Sequence, residues 1–223
     1  MLEMKREIAA LIQKDLTLEW RNRYALNGIL LYTASSIFIC YLAFQYGQAL
    51  TPIVWNTLFW IIMLFSAMNA VAKSFFQENA NRQYYYFFLT SPESLILSKI
   101  LYNTGLMVLL AVLGYGMFSM ILGNPVQDKG LYFIIILLAA IGFAGSLTMI
   151  SGIASKAGNN AVLMAVLSFP VVLPILLMVI KSSKNAMDGL DWSASTDEIL
   201  VLVAINVIII TLSYLLFPYL WRG

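Results

Sequence analysis

The sequence predicts an all-α integral membrane protein with six transmembrane helices and an N-terminal amphipathic helix at the membrane interface. Three observations carry that prediction. Of 223 residues, 61% are hydrophobic and only 11% charged, with mean hydropathy +0.84, whereas soluble domains carry about 25% charged residues. Polar groups this scarce do not cover a globular surface. Tyr24–Ala72 and Ile100–Gln127 contain no Asp, Glu, Lys or Arg, and apolar runs of such length read as membrane spans. Between them lies Lys73–Lys99, a charged and aromatic island of 27 residues that belongs in water.

The first segment, residues 1–27, reads as the interfacial helix. Met1–Arg23 holds nine charges of both signs, unlike a cleavable signal, in which a short apolar core follows a basic start. Ile8, Leu11 and Ile12 recur at helical spacing, and Leu16, Trp20 and Tyr24 continue that face; Glu3, Glu7, Lys14, Arg21 and Arg23 lie opposite. This pattern predicts a helix lying on the bilayer with Trp20 and Tyr24 at headgroup level.

Residues 28–223 form the transmembrane domain. The first span runs over Gly28–Phe44, breaks at Gln45-Tyr46-Gly47-Gln48, and Pro52 restarts the chain before a second span at Ile53–Ala72. The island 73–99 follows. The third span, Ser94–Leu122, exceeds the roughly 20 residues a bilayer needs, and Gly123-Asn124-Pro125 ends it. The fourth, Leu131–Ile153, is rich in small residues, and Gly142 with Ser146 makes a small-xxx-small pair that permits close helix approach. A short turn at Ser155–Asn160 leads to the fifth span, Ala161–Ile180. The loop 181–197, acidic through Asp188, Asp191 and Asp197 with Trp192 as an aromatic anchor, precedes the sixth, Glu198–Leu220.

Charge sets the orientation. With the N-terminus inside, the inner segments 1–27, 73–99, 155–160 and 221–223 hold 10 of the 13 Lys and Arg residues. Acidic residues divide almost evenly, so only the cations are biased, as the positive-inside rule requires. The sequence therefore predicts both termini and the island in the cytoplasm and 181–197 outside; the resemblance given below makes that outside the periplasm.

Several chemistries are disfavoured. The chain has no histidine, the commonest metal and haem ligand and the usual general base. Cys40 is the single cysteine and reads as a small apolar residue. No ionisable residue sits mid-span, where proton relays and ion carriers keep one. There is no Gly-rich phosphate loop ending in Lys-Ser/Thr, no His-Glu-x-x-His, no Gly-x-Ser-x-Gly and no Cys-x-x-Cys. The chain is read as a non-catalytic membrane protein with no metal site, and its net charge of +2 gives no reason to expect nucleic acid.

Within the spans, Pro170 and Pro174 each remove a helix hydrogen bond, four residues apart. Freed carbonyls need partners, so this face is expected to point into protein or a polar cavity. It reads as a hinge or pathway kink, with a static kink that shapes packing as the rival. Asn206, the main strongly polar group of the sixth span, is expected to hydrogen-bond a neighbouring helix and is the remaining candidate pathway residue.

An interfacial helix, six spans with both ends inside, a long cytoplasmic connector and a shaped last external loop together resemble the membrane subunit of an ABC-2 type (type V-like) exporter. Within that class the chain resembles the haem exporter B family of cytochrome c maturation, CcmB, over nearly its full length. The residues that carry this are Ser74-Phe75-Phe76-Gln77-Glu78, Phe88 to Lys99 with its Thr90-Ser91-Pro92-Glu93 core, Lys156-Ala157-Gly158-Asn159-Asn160, and Phe169-Pro170-Val171-Val172-Leu173-Pro174. Tyr84-Tyr85-Tyr86 departs from the family pattern, which has small or acidic residues there.

The resemblance implies a bacterial inner-membrane complex. A separate CcmA-like ATPase would dock on the island, and ATP would act only through it. A CcmC-like haem-handling subunit and a small CcmD-like single-span subunit would sit beside the chain in the bilayer, and the partner set extends to a second copy of the chain. Haem would be the handled ligand rather than a resident cofactor. Glu78, Arg82 and Glu93 are the candidate polar docking contacts, with Tyr84, Tyr85, Tyr86 and Phe87 as apolar anchors. Ser91, Pro92 and Glu93 suit a helix start as cap, first position and first-turn acid, so force on the island would pass into the third span. An exporter of a drug, lipid or glycan, and a non-transporting scaffold for a haem-handling partner, remain the alternatives, with a secondary carrier behind them.

Overall fold

The computed structural model describes residues 2–21, 24–45, 50–76, 90–157 and 161–222. They form seven α-helices and one short 3-10 helix, with no strand among the described residues. The helices are α1 (Leu2–Arg21), α2 (Tyr24–Gln45), α3 (Pro52–Phe76), α4 (Pro92–Leu122), α5 (Lys129–Lys156), α6 (Ala161–Met187) and α7 (Thr196–Arg222), with the 3-10 turn at Trp192–Ser195. Each helix from α2 to α7 is long and apolar enough to cross a membrane. The protein is therefore a six-span, multi-pass membrane protein, as its sequence predicts.

Helix α5 is the axis of the bundle and packs against α3, α4, α6 and α7. Its small residues explain the position. Gly142, Ala144, Gly145, Ser146 and Ser151 are all buried. Gly142 leaves room for Asn206 of α7 and Ile175 of α6, since a Cβ there would lie 2.6 Å from Asn206 Oδ1 and 3.3 Å from Ile175 Cγ2. The small-residue face thus serves packing within this chain. Asn206 Nδ2 donates to the Leu138 carbonyl of α5 at 3.0 Å, the interhelical bond expected of it.

Two ends of the bundle can be distinguished. The base gathers α1, the start of α4 and the ends of α5 and α7. The far end gathers the starts of α3, α5 and α7 and the ends of α4 and α6. At the far end Trp55, Phe59 and Trp60 of α3 meet Phe118 and Tyr115 of α4 and Tyr132 of α5. Their polar tips are satisfied inside the bundle. Trp55 Nε1 donates to the Gly123 carbonyl, Trp60 Nε1 to Ser183 Oγ and Asn56 Nδ2 to the Ile180 carbonyl, while Tyr132 Oη donates to Asn56 Oδ1. Such pairing keeps amphipathic rings buried without an orphaned donor.

The end of α6 differs from the sequence reading. The charges at Lys181 and Lys184 suggest a loop from residue 181, yet the helix continues through Met187. Ser182 and Ser183 return their hydroxyls to the Met178 and Val179 carbonyls. Lys181 pairs with Glu198 in the first turn of α7 at 2.7 Å. The stop is set instead by Gly189, at φ +66°, with Leu190 N bonding the Asn185 carbonyl, the left-handed glycine and backward bond of a Schellman cap. The connector left between α6 and α7 is short, and Trp192 Nε1 ties it to Asp128, the cap of α5, at 2.7 Å.

Helix α6 also runs unbroken through Pro170 and Pro174. Within this chain their face does not turn inward as expected. Both prolines are exposed, with Phe169 beside them at 64% exposure. The inward stripe of α6 is taken by Ser168, Val172, Ile175 and Val179, at spacings of three and four. Prolines at 170 and 174 fall between the members of that stripe and so face outward.

Candidate functional site

The base carries the polar chemistry nearest to the sequence-predicted grip. Helix α4 begins as its first residues dictate. Ser91 is the N-cap with extended backbone, its hydroxyl accepts from Ser94 N, Pro92 opens the helix and Glu93 lies in the first turn. From there α4 runs without interruption to Leu122. Pro92 and Glu93 are thus placed at the helix start; Glu78, Arg82, Tyr84, Tyr85, Tyr86 and Phe87 lie outside the described residues.

Helix α1 closes over this start. Glu7 Oε2 lies 2.9 Å from Ser91 Oγ and 3.4 Å from Ser91 N, and Ser91 Oγ is 2.7 Å from Ser94 Oγ. One turn on, Leu11 enters a buried cluster with Leu95, Ile96 and Ile100 of α4 and Phe217 and Trp221 of α7. A further turn on, Asp15 meets Lys99, whose Nζ is 3.3 Å from Oδ1 and 3.2 Å from Oδ2. Both side chains are buried, at 8% and 4% exposure. Lys14 adds a contact to Asp15 Oδ1 at 3.0 Å. Below this, Lys156 at the end of α5 donates to the Trp221 carbonyl at 3.2 Å and lies 5.0 Å from its ring centroid, a cation–π distance. Deeper along α4, Asn103 Nδ2 donates to Thr148 Oγ1 of α5 at 2.8 Å.

This corrects the sequence reading of α1. Glu7, expected on the solvated face, faces protein with Leu11 and Asp15. Leu16 and Trp20, expected to share the face of Leu11, are 57% and 77% exposed. The helix has two usable faces, and the acidic one docks because Lys99 and the Ser91 cap offer it partners. The signal available in the sequence was the spacing of four linking Glu7, Leu11 and Asp15, together with Lys99 in the otherwise uncharged start of a span.

The Glu7 carboxyl is held below its ordinary value by the Ser94 hydroxyl, then by Ser91, against the opposing effect of burial. A depressed carboxylate stabilises the fold fully above its unfolded value of 4.5 and loses that contribution as pH falls through the lower folded value. Docking of α1 is accordingly expected to weaken only in acid. Thermal unfolding scanned from pH 7 downward checks this: Glu7→Gln should flatten the acid slope, and identical profiles for both proteins would contradict it.

The other predicted residues lie elsewhere. Asn206 sits in the α5–α7 contact and Pro170 and Pro174 on the outer face of α6, so the structure does not bring them together with the base. Among the described residues no cluster of three or more His, Cys, Asp or Glu suited to a metal occurs.

The family model for CcmB protein matches residues 6–219, from the second turn of α1 to the last turn of α7. The chain belongs to the CcmB family. No curated protein matches it. Membership in the CcmB family makes the chain a membrane permease subunit of the haem-export ABC transporter class, in cytochrome c biogenesis, and such subunits work with an ATPase partner. The match spans the docked helix α1 as well as the membrane helices, so the base belongs to the CcmB unit.

Proposed function

We propose that this CcmB chain is the permease subunit of an inner-membrane complex that handles haem for cytochrome c maturation, driven by a separate CcmA-like ATPase docked on residues 73–99. The observation that supports it most is the continuity of α4. The helix starts at a Ser91 cap within the island, after its aromatic stretch, and runs 31 residues, roughly 46 Å at 1.5 Å per residue. A load on the island enters a rigid rod that crosses the bilayer. Glu78, Arg82 and Glu93 supply polar contacts to the ATPase, and Tyr84 to Phe87 supply apolar ones.

In this reading the base faces the cytoplasm, consistent with 10 of 13 cations in the inner segments. The outward prolines of α6 carry freed carbonyls at Val166 and Pro170, groups that lipid does not satisfy. That favours a protein neighbour over this face, either a second copy of the chain or a CcmC-like or CcmD-like subunit, with Pro170 and Pro174 as the hinge beside the pathway. Haem is cargo here, and no resident cofactor is assigned. The test is affinity purification of the tagged chain: Glu78→Lys and Arg82→Glu should each lower recovery of the ATPase subunit several-fold, as loss of a charged interface contact does. Unchanged recovery with both variants removes the docking assignment.

A further inference from the structure

A buried ion pair is a poor way to glue two helices, because desolvation of both charges offsets most of their attraction, and an apolar pair of equal volume holds as well. What it supplies is register, since sliding the helices by one turn would leave a buried charge alone. Asp15 and Lys99 form such a pair, with Nζ within 3.3 Å of both carboxylate oxygens and both side chains buried. Two turns earlier, Glu7 bonds Ser91, the residue on which α4 begins. Leu11 fills the space between against Leu95, Ile96 and Ile100. Polar contacts at both ends of one apolar seam leave α1 a single seating on α4.

We propose that Asp15 and Lys99 are positioning residues that lock α1 to α4 as one rigid unit, so that displacement of the α4 start moves α1 along the membrane surface. The inference rests on the reading of 73–99 as the ATPase grip. Load entering at Ser91 reaches α1 through Glu7 and Lys99 before it reaches the middle of the bilayer. It leaves through the exposed face bearing Leu16 and Trp20, which slides on the headgroups.

The test uses the complex purified through a tag on this chain. Asp15→Asn and Lys99→Gln each break the Asp15–Lys99 pair, and Asp15→Lys with Lys99→Asp restores the pair in reverse. ATPase recovery and melting temperature report assembly and folding; ATP hydrolysis by the complex and amide exchange of residues 3–21 report transmission. Each single variant is expected to keep ATPase recovery, speed exchange in α1 and lower hydrolysis by about 2-fold to 30-fold, the range for residues along a coupling route. The reversed pair is expected to recover both. Wild-type hydrolysis in single variants whose α1 has loosened overturns the proposal, and so does unchanged exchange in α1. Where a single variant does not fold, Asp15→Leu with Lys99→Met removes both charges of the pair and is judged by hydrolysis alone: a fall is expected, and wild-type hydrolysis overturns the proposal. Absence of the ATPase from the wild-type purification would instead sink the grip reading itself.

Discussion

Replacing Trp55 by alanine is expected to destabilise the detergent-solubilised protein by about 3–5 kcal/mol, the usual loss for a buried Trp or Phe truncated to Ala. At roughly 2–4 °C per kcal/mol for a chain of this size, the melting point should fall by about 6–20 °C. Trp55 is the centre of the far-end aromatic block. Its ring lies 4.8 Å from Phe118 and 5.8 Å from Phe59, centroid to centroid, and edge-on to Tyr115 and Tyr132. Its indole nitrogen holds the Gly123 carbonyl, where α4 ends. Within a bilayer helices gain little by leaving lipid, so association depends on contact and hydrogen bonding. A cavity here removes both. Trp55→Phe keeps most of the ring contacts and loses the hydrogen bond, worth about 1 kcal/mol. The two variants should therefore separate clearly in a thermal scan, and equal melting points would refute the hub role.

The second large effect is expected at Gly142. A leucine there must displace Asn206 Oδ1 and Ile175. Asn206 cannot swing away freely, because its amide is bonded to the Leu138 carbonyl. Losing that bond inside the bundle costs about 1–3 kcal/mol, and overpacking adds about 1–3 more. Size-exclusion profiles after heating should show Gly142→Leu aggregating well below the wild type. Gly105 is the internal control: a Cβ added there would meet nothing within 4 Å, so Gly105→Ala should be neutral or gain up to about 1 kcal/mol from helix propensity. If both substitutions behave alike, close approach of α5 and α7 is not what Gly142 provides.

The spans were legible because length and absence of charge are properties of single segments. The cap of α4 was legible for the same reason, since Ser91, Pro92 and Glu93 act within one turn. The end of α6 was not. Lys181 and Lys184 look like loop residues in isolation, yet the helix runs on to the stop at Gly189, and Lys181 reaches Glu198 on another helix. The docked face of α1 was hidden likewise. Hydrophobicity favoured Leu16 and Trp20 over Asp15, and the choice was reversed by Lys99, 84 residues away. The aromatic block had a local signature in Trp55 and Phe59, four apart, but its closure by Phe118 and Tyr132 belongs to tertiary structure. Of the candidate site, what could be read was the start of α4; what could not was the helix α1 that packs over it.

The separation of Asp15 from Lys99 also sets an order of events at the ribosome. Helix α1 is synthesised first, yet its buried partner lies 84 residues downstream. At about 5–20 residues per second that is a delay of roughly 4–17 s. During this interval α2 and α3 enter the bilayer while α1, with Asp15 not yet joined to Lys99, stays on the watery side. The first element to leave the ribosome thus waits for the third span before its buried pair can form.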